Sequence, residues 1–187
     1  MKLTIVFAGL LGVFLTPALA DTDINIGGDS NSGISGQQSV SVNNEPNVAS
    51  VDNNNGLDSW NAMWDYETNF AAVRLFKQKV CIAHRMKKDA MPSLQTVDAL
   101  VKEKELQGKG PGGPPPRSLM YSINSVRVND LEKLGKPIAG MCRGIPTYTD
   151  NELERASLFF YSRMCIRTNT LWILKLAFCG TLIVENH

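Results

Sequence analysis

Four cysteines constrain this chain before anything else does. Cys81, Cys142, Cys165 and Cys179 are its full complement. In an exported protein an even set reads as two disulfides, and spacing alone leaves three pairings open. Export is expected from residues 1–20. Lys2 supplies a positive charge, Ile5 to Leu15 form an apolar run, and Pro17 precedes the small-residue triplet Ala18-Leu19-Ala20. That order is a secretory signal peptide, with cleavage expected after Ala20. The run is too short for a membrane span, which needs roughly 20 apolar residues. Of 19 basic and 18 acidic residues, Lys2 is the one charge removed with the leader, so the exported chain is electrically balanced. A nucleic-acid binder would carry a basic excess. Leu171 to Phe178 is the longest remaining apolar candidate. It is interrupted by Lys175 and is strand-sized, so no transmembrane span is expected in the mature chain.

Residues 21–53 are polar and rich in Asn, Ser, Gly and Asp. They read as a linker, part extended strand and part disordered. Asp52 to Gly56 is a turn cluster closing it. A folded domain is expected over 54–150 and a β-rich region over 151–187. Leu57 to Tyr66, Phe70 to Phe76 and Lys79 to Met86 read as strands. A helix starts at Pro92-Ser93, with Ser93 as N-cap, and its stripe is Leu94, Val97, Leu100 and Val101. It ends near Gln107-Gly108, where the Gly/Pro run to Pro116 permits neither helix nor sheet interior. Leu119, Tyr121 and Ile123 alternate as a strand. A second helix is expected from Asn129 or Asp130 to about Cys142, with a kink or break at Pro137 costing about 3 kcal/mol. Ile145 to Tyr148, Leu158 to Tyr161 and Leu171 to Leu174 read as further strands.

Catalytic chemistry finds little support. His84 and His187 are the two histidines. His84 falls in a strand with no nucleophile and orienting carboxylate named beside it, and reads as a half-buried histidine in a sheet. Cysteines committed to disulfides leave neither a thiolate nor a zinc site. The glycine-rich run 108–113 lacks phosphate-loop order, and its proline removes an N–H donor that a phosphate would need. The expected function is therefore binding, without enzyme activity and without cofactor or metal. No N-glycosylation acceptor is present.

Three landmarks carry a family resemblance: Trp64-Asp65-Tyr66 with Cys81 sixteen residues beyond Asp65, Met91-Pro92-Ser93-Leu94, and Met141 to Tyr148 with its Cys142-Arg143-Gly144-Ile145-Pro146 turn. Over about 54–150 this resembles the BRICHOS domain. The leader, the Gln37 to Asn44 stretch, the Gly108 to Pro116 loop and the tail extend the likeness to the gastrokine group of BRICHOS proteins. The resemblance implies an α+β fold, a central sheet of about five strands flanked by two helices. It implies that Cys81 pairs with Cys142, and Cys165 with Cys179. Loops of those lengths contribute roughly 4 and 3 kcal/mol. Asp65 matches the family's aspartate, whose protonation is implied to shift the domain between compact and client-accessible forms. The implied role is a secreted gastric mucosal protein, passing through Golgi and secretory granules to the extracellular mucus layer. Its chaperone-like, anti-amyloid domain would bind β-prone polypeptides, with strands 70–76 and 79–86 as the expected docking region. Support of mucosal integrity and mitogenic or growth-modulating activity are implied with it. The alternative is a ligand for an epithelial cell-surface receptor or other mucosal protein, displaying about 98–116 on a BRICHOS scaffold.

Overall fold

Hairpin turns lay out the first half of the chain. The computed structural model describes residues 22–26, 37–87, 89–107, 117–152, 165–170 and 173–180. The strands β1 (Thr22–Ile26), β2 (Gln37–Asn43), β3 (Val48–Asn54), β4 (Trp60–Asp65), β5 (Phe70–Leu75) and β6 (Val80–Arg85) pair consecutively and antiparallel. The turns after β2, β4 and β5 each close on a left-handed residue: Asn47 (φ 50°), Asn69 (φ 59°) and Lys79 (φ 52°). Asparagine enters this region readily because its short side chain bonds the local backbone.

The second half adds α1 (Leu94–Gln107), β7 (Arg117–Arg127), a 3-10 turn (Leu131–Leu134), α2 (Lys136–Cys142), β8 (Thr147–Glu152), β9 (Cys165–Thr170) and β10 (Leu174–Cys179). β8 inserts between β6 and β7, parallel to β6, and β10 lies parallel to β7. Among the described residues this makes one mixed sheet of ten strands, ordered β1-β2-β3-β4-β5-β6-β8-β7-β10-β9. The sheet is thus twice the expected five strands. The stretch read as linker supplies part of the difference. β2 and β3 belong to this same sheet, and Val40, Val42, Ala49 and Val51 are buried in its core. A strand with one solvated face needs only alternate apolar residues, so a polar composition is compatible with a core strand. Leu158 to Tyr161 lie outside the described residues, as do 171 and 172.

The sheet curls, giving it two unlike faces. Inside lie Trp60, Ala62 and Trp64 from β4, Ala71, Val73 and Leu75 from β5, Val80 and Ile82 from β6, and Leu174, Leu176 and Phe178 from β10. Helix α1 covers part of this face through Leu94, Val97 and Val101, over β1, β2 and β3. Outside, Ala72, Cys81 and Ala83 meet Leu134, Ile138 and Cys142 of the α2 region. The curl brings distant strands together: Gln38 on β2 donates from Nε2 to the Asn169 carbonyl on β9 at 2.7 Å, a separation of 131 residues.

The expected interruption of the second helix is present, but its physical cause differs from a kink at an interior proline. Gly135, at φ 97° and ψ 148°, separates the 3-10 turn from α2. Pro137 falls in the first turn of α2, where its missing N–H costs nothing. Asp130 caps the 3-10 turn by accepting from the Glu132 amide at 3.2 Å.

Candidate binding site

The short helix α2 is fastened at both ends. At its C-terminal end Cys142 is joined to Cys81 on β6, across a Cα–Cα distance of 5.6 Å. The Arg74 guanidinium on β5 donates to the Met141 carbonyl at 3.0 Å, satisfying one terminal carbonyl. At its N-terminal end stands Asp65, the last residue of β4 and 2% exposed. Its Oδ1 accepts from the Glu67 and Thr68 amides, both at 3.0 Å, and so shapes the β4–β5 turn. The Thr68 hydroxyl reaches the Leu134 carbonyl at 3.3 Å. Gly135 fits against this corner because it has no side chain. A Cβ there would collide with Asp65 Oδ2 and lie 2.9 Å from Thr68 Cγ2. The geometry joins an aspartate before a tight turn to a helix stapled back onto the sheet, and residues 56–149 match the BRICHOS domain family over this span.

This chain belongs to the BRICHOS family.

Its full-length relatives narrow the placement to gastrokines. Human gastrokine-1 is 66% identical over 186 residues, spanning the whole of both chains. Pig gastrokine-1 is 67% identical over the same extent. Mouse gastrokine-3 is 31% identical over 176 residues, covering 91% of this chain and 87% of that protein. No solved structure matches this chain.

The BRICHOS helix α1 is held differently from α2. The Ser93 hydroxyl caps it, accepting from the Thr96 amide at 3.2 Å, and Lys102 pairs with Asp98 on its exposed side at 2.7 Å. Against the sheet it places Leu94, Val97 and Val101, and no disulfide reaches it. Each such side chain, fully buried, is worth about 1.5–3 kcal/mol. Beneath it lies the aliphatic surface of β2 and β3. At its start Tyr66 donates its hydroxyl to the Pro92 carbonyl at 2.9 Å. Burial pushes the Tyr66 phenol upward, so it remains a donor at any physiological pH. Asp65 and Tyr66 are adjacent, so the β4–β5 turn touches the α2 junction with one residue and the start of α1 with the next.

Strands β5 and β6, expected to carry the docking region, are interior strands. Both of their edges are paired, so neither offers a strand-addition edge. The outer strands of the sheet are β1 and β9. β9 is joined to β10 by Cys165–Cys179.

His84 is sealed inside the sheet rather than half-buried. Its ring lies 4.8 Å from that of Tyr121 and 5.7 Å from that of Phe178. Its Nδ1 is 3.8 Å from Asp150 Oδ2, and neither ring nitrogen has a hydrogen-bond partner. Burial lowers its pKa to about 4, outweighing the nearby carboxylate. The ring is therefore neutral at physiological pH. His187 and the run 108–116 lie outside the described residues. Among the described residues no His, Cys, Asp and Glu cluster could hold a metal ion, and no helix is long and apolar enough to cross a membrane.

Sequence reasoning missed Gly135, Thr68, Arg74 and Gln38. A glycine two residues before a proline, after a 3-10-length segment, was the available signal for Gly135. The other three act across 66, 67 and 131 residues, where no local pattern exists.

Proposed function

We propose that this protein is a secreted, chaperone-like binder of β-prone polypeptides, and that its client surface is the inner sheet face beneath α1. The observation carrying this is the contrast in attachment: α1 covers Val40, Val42, Ala49 and Val51 by apolar contact, whereas α2 is covalently held. Displacing α1 exposes a concave aliphatic surface on which an extended apolar segment is buried. That occupancy removes the segment from growth into cross-β stacks. The reaction is binding without turnover, which suits a site whose one interior histidine is sealed away. In a gastrokine setting such capture serves mucosal integrity and epithelial growth control.

Asp65 tunes the opening in this reading. Its carboxylate holds two turn amides, and the same turn contacts the start of α1 through Tyr66. Neutralising it loosens the turn and, through Tyr66, the helix. Two measurements test the reading. The protein below equimolar ratio should delay fibril formation of an amyloid-forming peptide followed by dye fluorescence; unchanged kinetics at equimolar ratio sink the chaperone role. Asp65→Asn should raise amide exchange in α1 at neutral pH, and identical exchange profiles at every pH remove Asp65 from the mechanism.

A further inference from the structure

A hollow opens where helix α1 begins. It measures about 270 Å³ and is lined by Tyr66 and Asn69 of the β4–β5 turn, Met86 just beyond β6, and Met91, Pro92 and Ser93 leading into α1. Three hydrogen bonds brace its walls. The Met86 amide donates to the Asn69 carbonyl at 3.0 Å, the Met91 amide to the Lys87 carbonyl at 2.7 Å, and the Tyr66 hydroxyl to the Pro92 carbonyl at 2.9 Å. The shape is therefore held by the fold itself.

The lining selects first by what it lacks. No charged side chain lines it. An ion entering it would lose water and gain no partner of opposite sign. Two of its polar groups are already engaged: the Tyr66 hydroxyl with Pro92, and the Ser93 hydroxyl with the amide and hydroxyl of Thr96. Asn69 differs, because among the described residues its carboxamide has no hydrogen-bond partner. A ligand thus meets an apolar wall with one polar anchor, able to donate or accept. That wall holds two nearly buried thioethers, Met86 and Met91. Thioether sulfur makes favourable contacts with aromatic rings, and the unbranched side chain adapts to their shape. Apolar cavities of about 150 Å³ already take up benzene, whereas drug-sized pockets start at about 300 Å³. A hollow of about 270 Å³ therefore suits one substituted six-membered ring.

We propose that this hollow is a binding site for a neutral single-ring aromatic molecule of the phenol class, with the ring against Met86 and Met91 and its hydroxyl on Asn69. A ring held there touches the β4–β5 turn and the entry to α1 together, so occupancy ties the helix to the sheet. The site requires the folded chain alone and does not depend on the chaperone reading.

The test is a titration of the full folded chain at pH 7, with methionine methyls isotope-labelled and observed by NMR, using phenol, fluorobenzene, cyclohexanol and benzoate. Phenol should shift the Met86 and Met91 methyls saturably, with a dissociation constant below about 10 mM. Met63 and Met141, which lie against the outer-face cluster, should not move. Cyclohexanol, alike in size, should bind about threefold more weakly or worse, and benzoate about fivefold. Asn69→Gly tolerates the left-handed turn at φ 59° and removes the anchor. It should weaken phenol about threefold and leave fluorobenzene unchanged. At ten times its dissociation constant, phenol should slow amide exchange in α1 about tenfold. No saturable shift with phenol, equal shifts at Met63 and Met141, or cyclohexanol or benzoate bound as tightly as phenol would overturn the site. Phenol affinity unchanged in Asn69→Gly, or lost together with that for fluorobenzene, would overturn the anchor, and unchanged exchange would overturn the tie to the helix.

Discussion

The two helices of this molecule solve opposite problems. Helix α2 has seven residues, too few to persist alone, and is built into the outer face by a disulfide, an arginine at its end and a glycine that lets it approach Asp65. Helix α1 has fourteen residues, a serine cap and a side-chain pair of its own, and rests on the inner face through three buried apolar side chains. The short helix is made immovable by its surroundings. The long one has its own cap and side-chain pair but no covalent tie to the sheet. In the proposed reading, covalent attachment marks the frame and apolar attachment marks the element that responds to a client.

The largest effect should come from cutting the frame. Replacing Cys81 and Cys142 with serine removes closure of a long loop and should cost about 4 kcal/mol in urea unfolding. If α1 were equally part of the frame, truncating its contacts would cost as much. Acid should act on the inner side. His84 is neutral in the folded protein with a pKa of about 4, against 6.5 when free. Above pH 6.5 it costs nothing. As pH falls toward 4 the unfolded chain takes up a proton that the folded one refuses, and stability drops by roughly 3 kcal/mol before levelling off. His84→Phe should flatten that segment of the pH–stability curve, and an unchanged slope would show that other groups cause it.

Gly135→Ala should lose about 2 kcal/mol through its backbone conformation and the Asp65 collision, read as a lower urea midpoint. Val97→Ala should cost about 1.5 kcal/mol, and most of it should appear as faster amide exchange in α1, with exchange in β5 and β6 little changed. Uniform acceleration across the sheet would erase the distinction between the helices. Gly140→Ala, at a position with open space in α2, should gain about 0.5–1 kcal/mol. A gain at 140 beside a loss at 135 separates helix propensity from the corner at Asp65.

Local features were legible in the sequence. The Ser93 cap, the Leu94/Val97/Val101 stripe and the central strands around Trp64, Val73 and Ile82 follow from spacing and turn residues. What the sequence concealed was long-range. The parallel pairings β6–β8 and β7–β10 join segments with no shared turn. Gln38, Val40 and Val42 alternate as a strand should, but a run of Ser, Asn and Gly around them masked that they enter the core. At the candidate site Asp65 was singled out from its neighbours in sequence. Its fit against Gly135 was not legible, because contact between residues 70 apart has no trace in periodicity.

The bridge from Gln38 to Asn169 sets a timetable for folding. Most of the hairpin meander can form as soon as it leaves the ribosome, yet its partner across the curl is made last. A nascent or prematurely terminated chain ending before residue 165 lacks β9 and β10, leaving β7 without its outer neighbour and Gln38 without its acceptor. Such fragments present raw strand edges, open to pairing with other chains until residues 165–187 arrive.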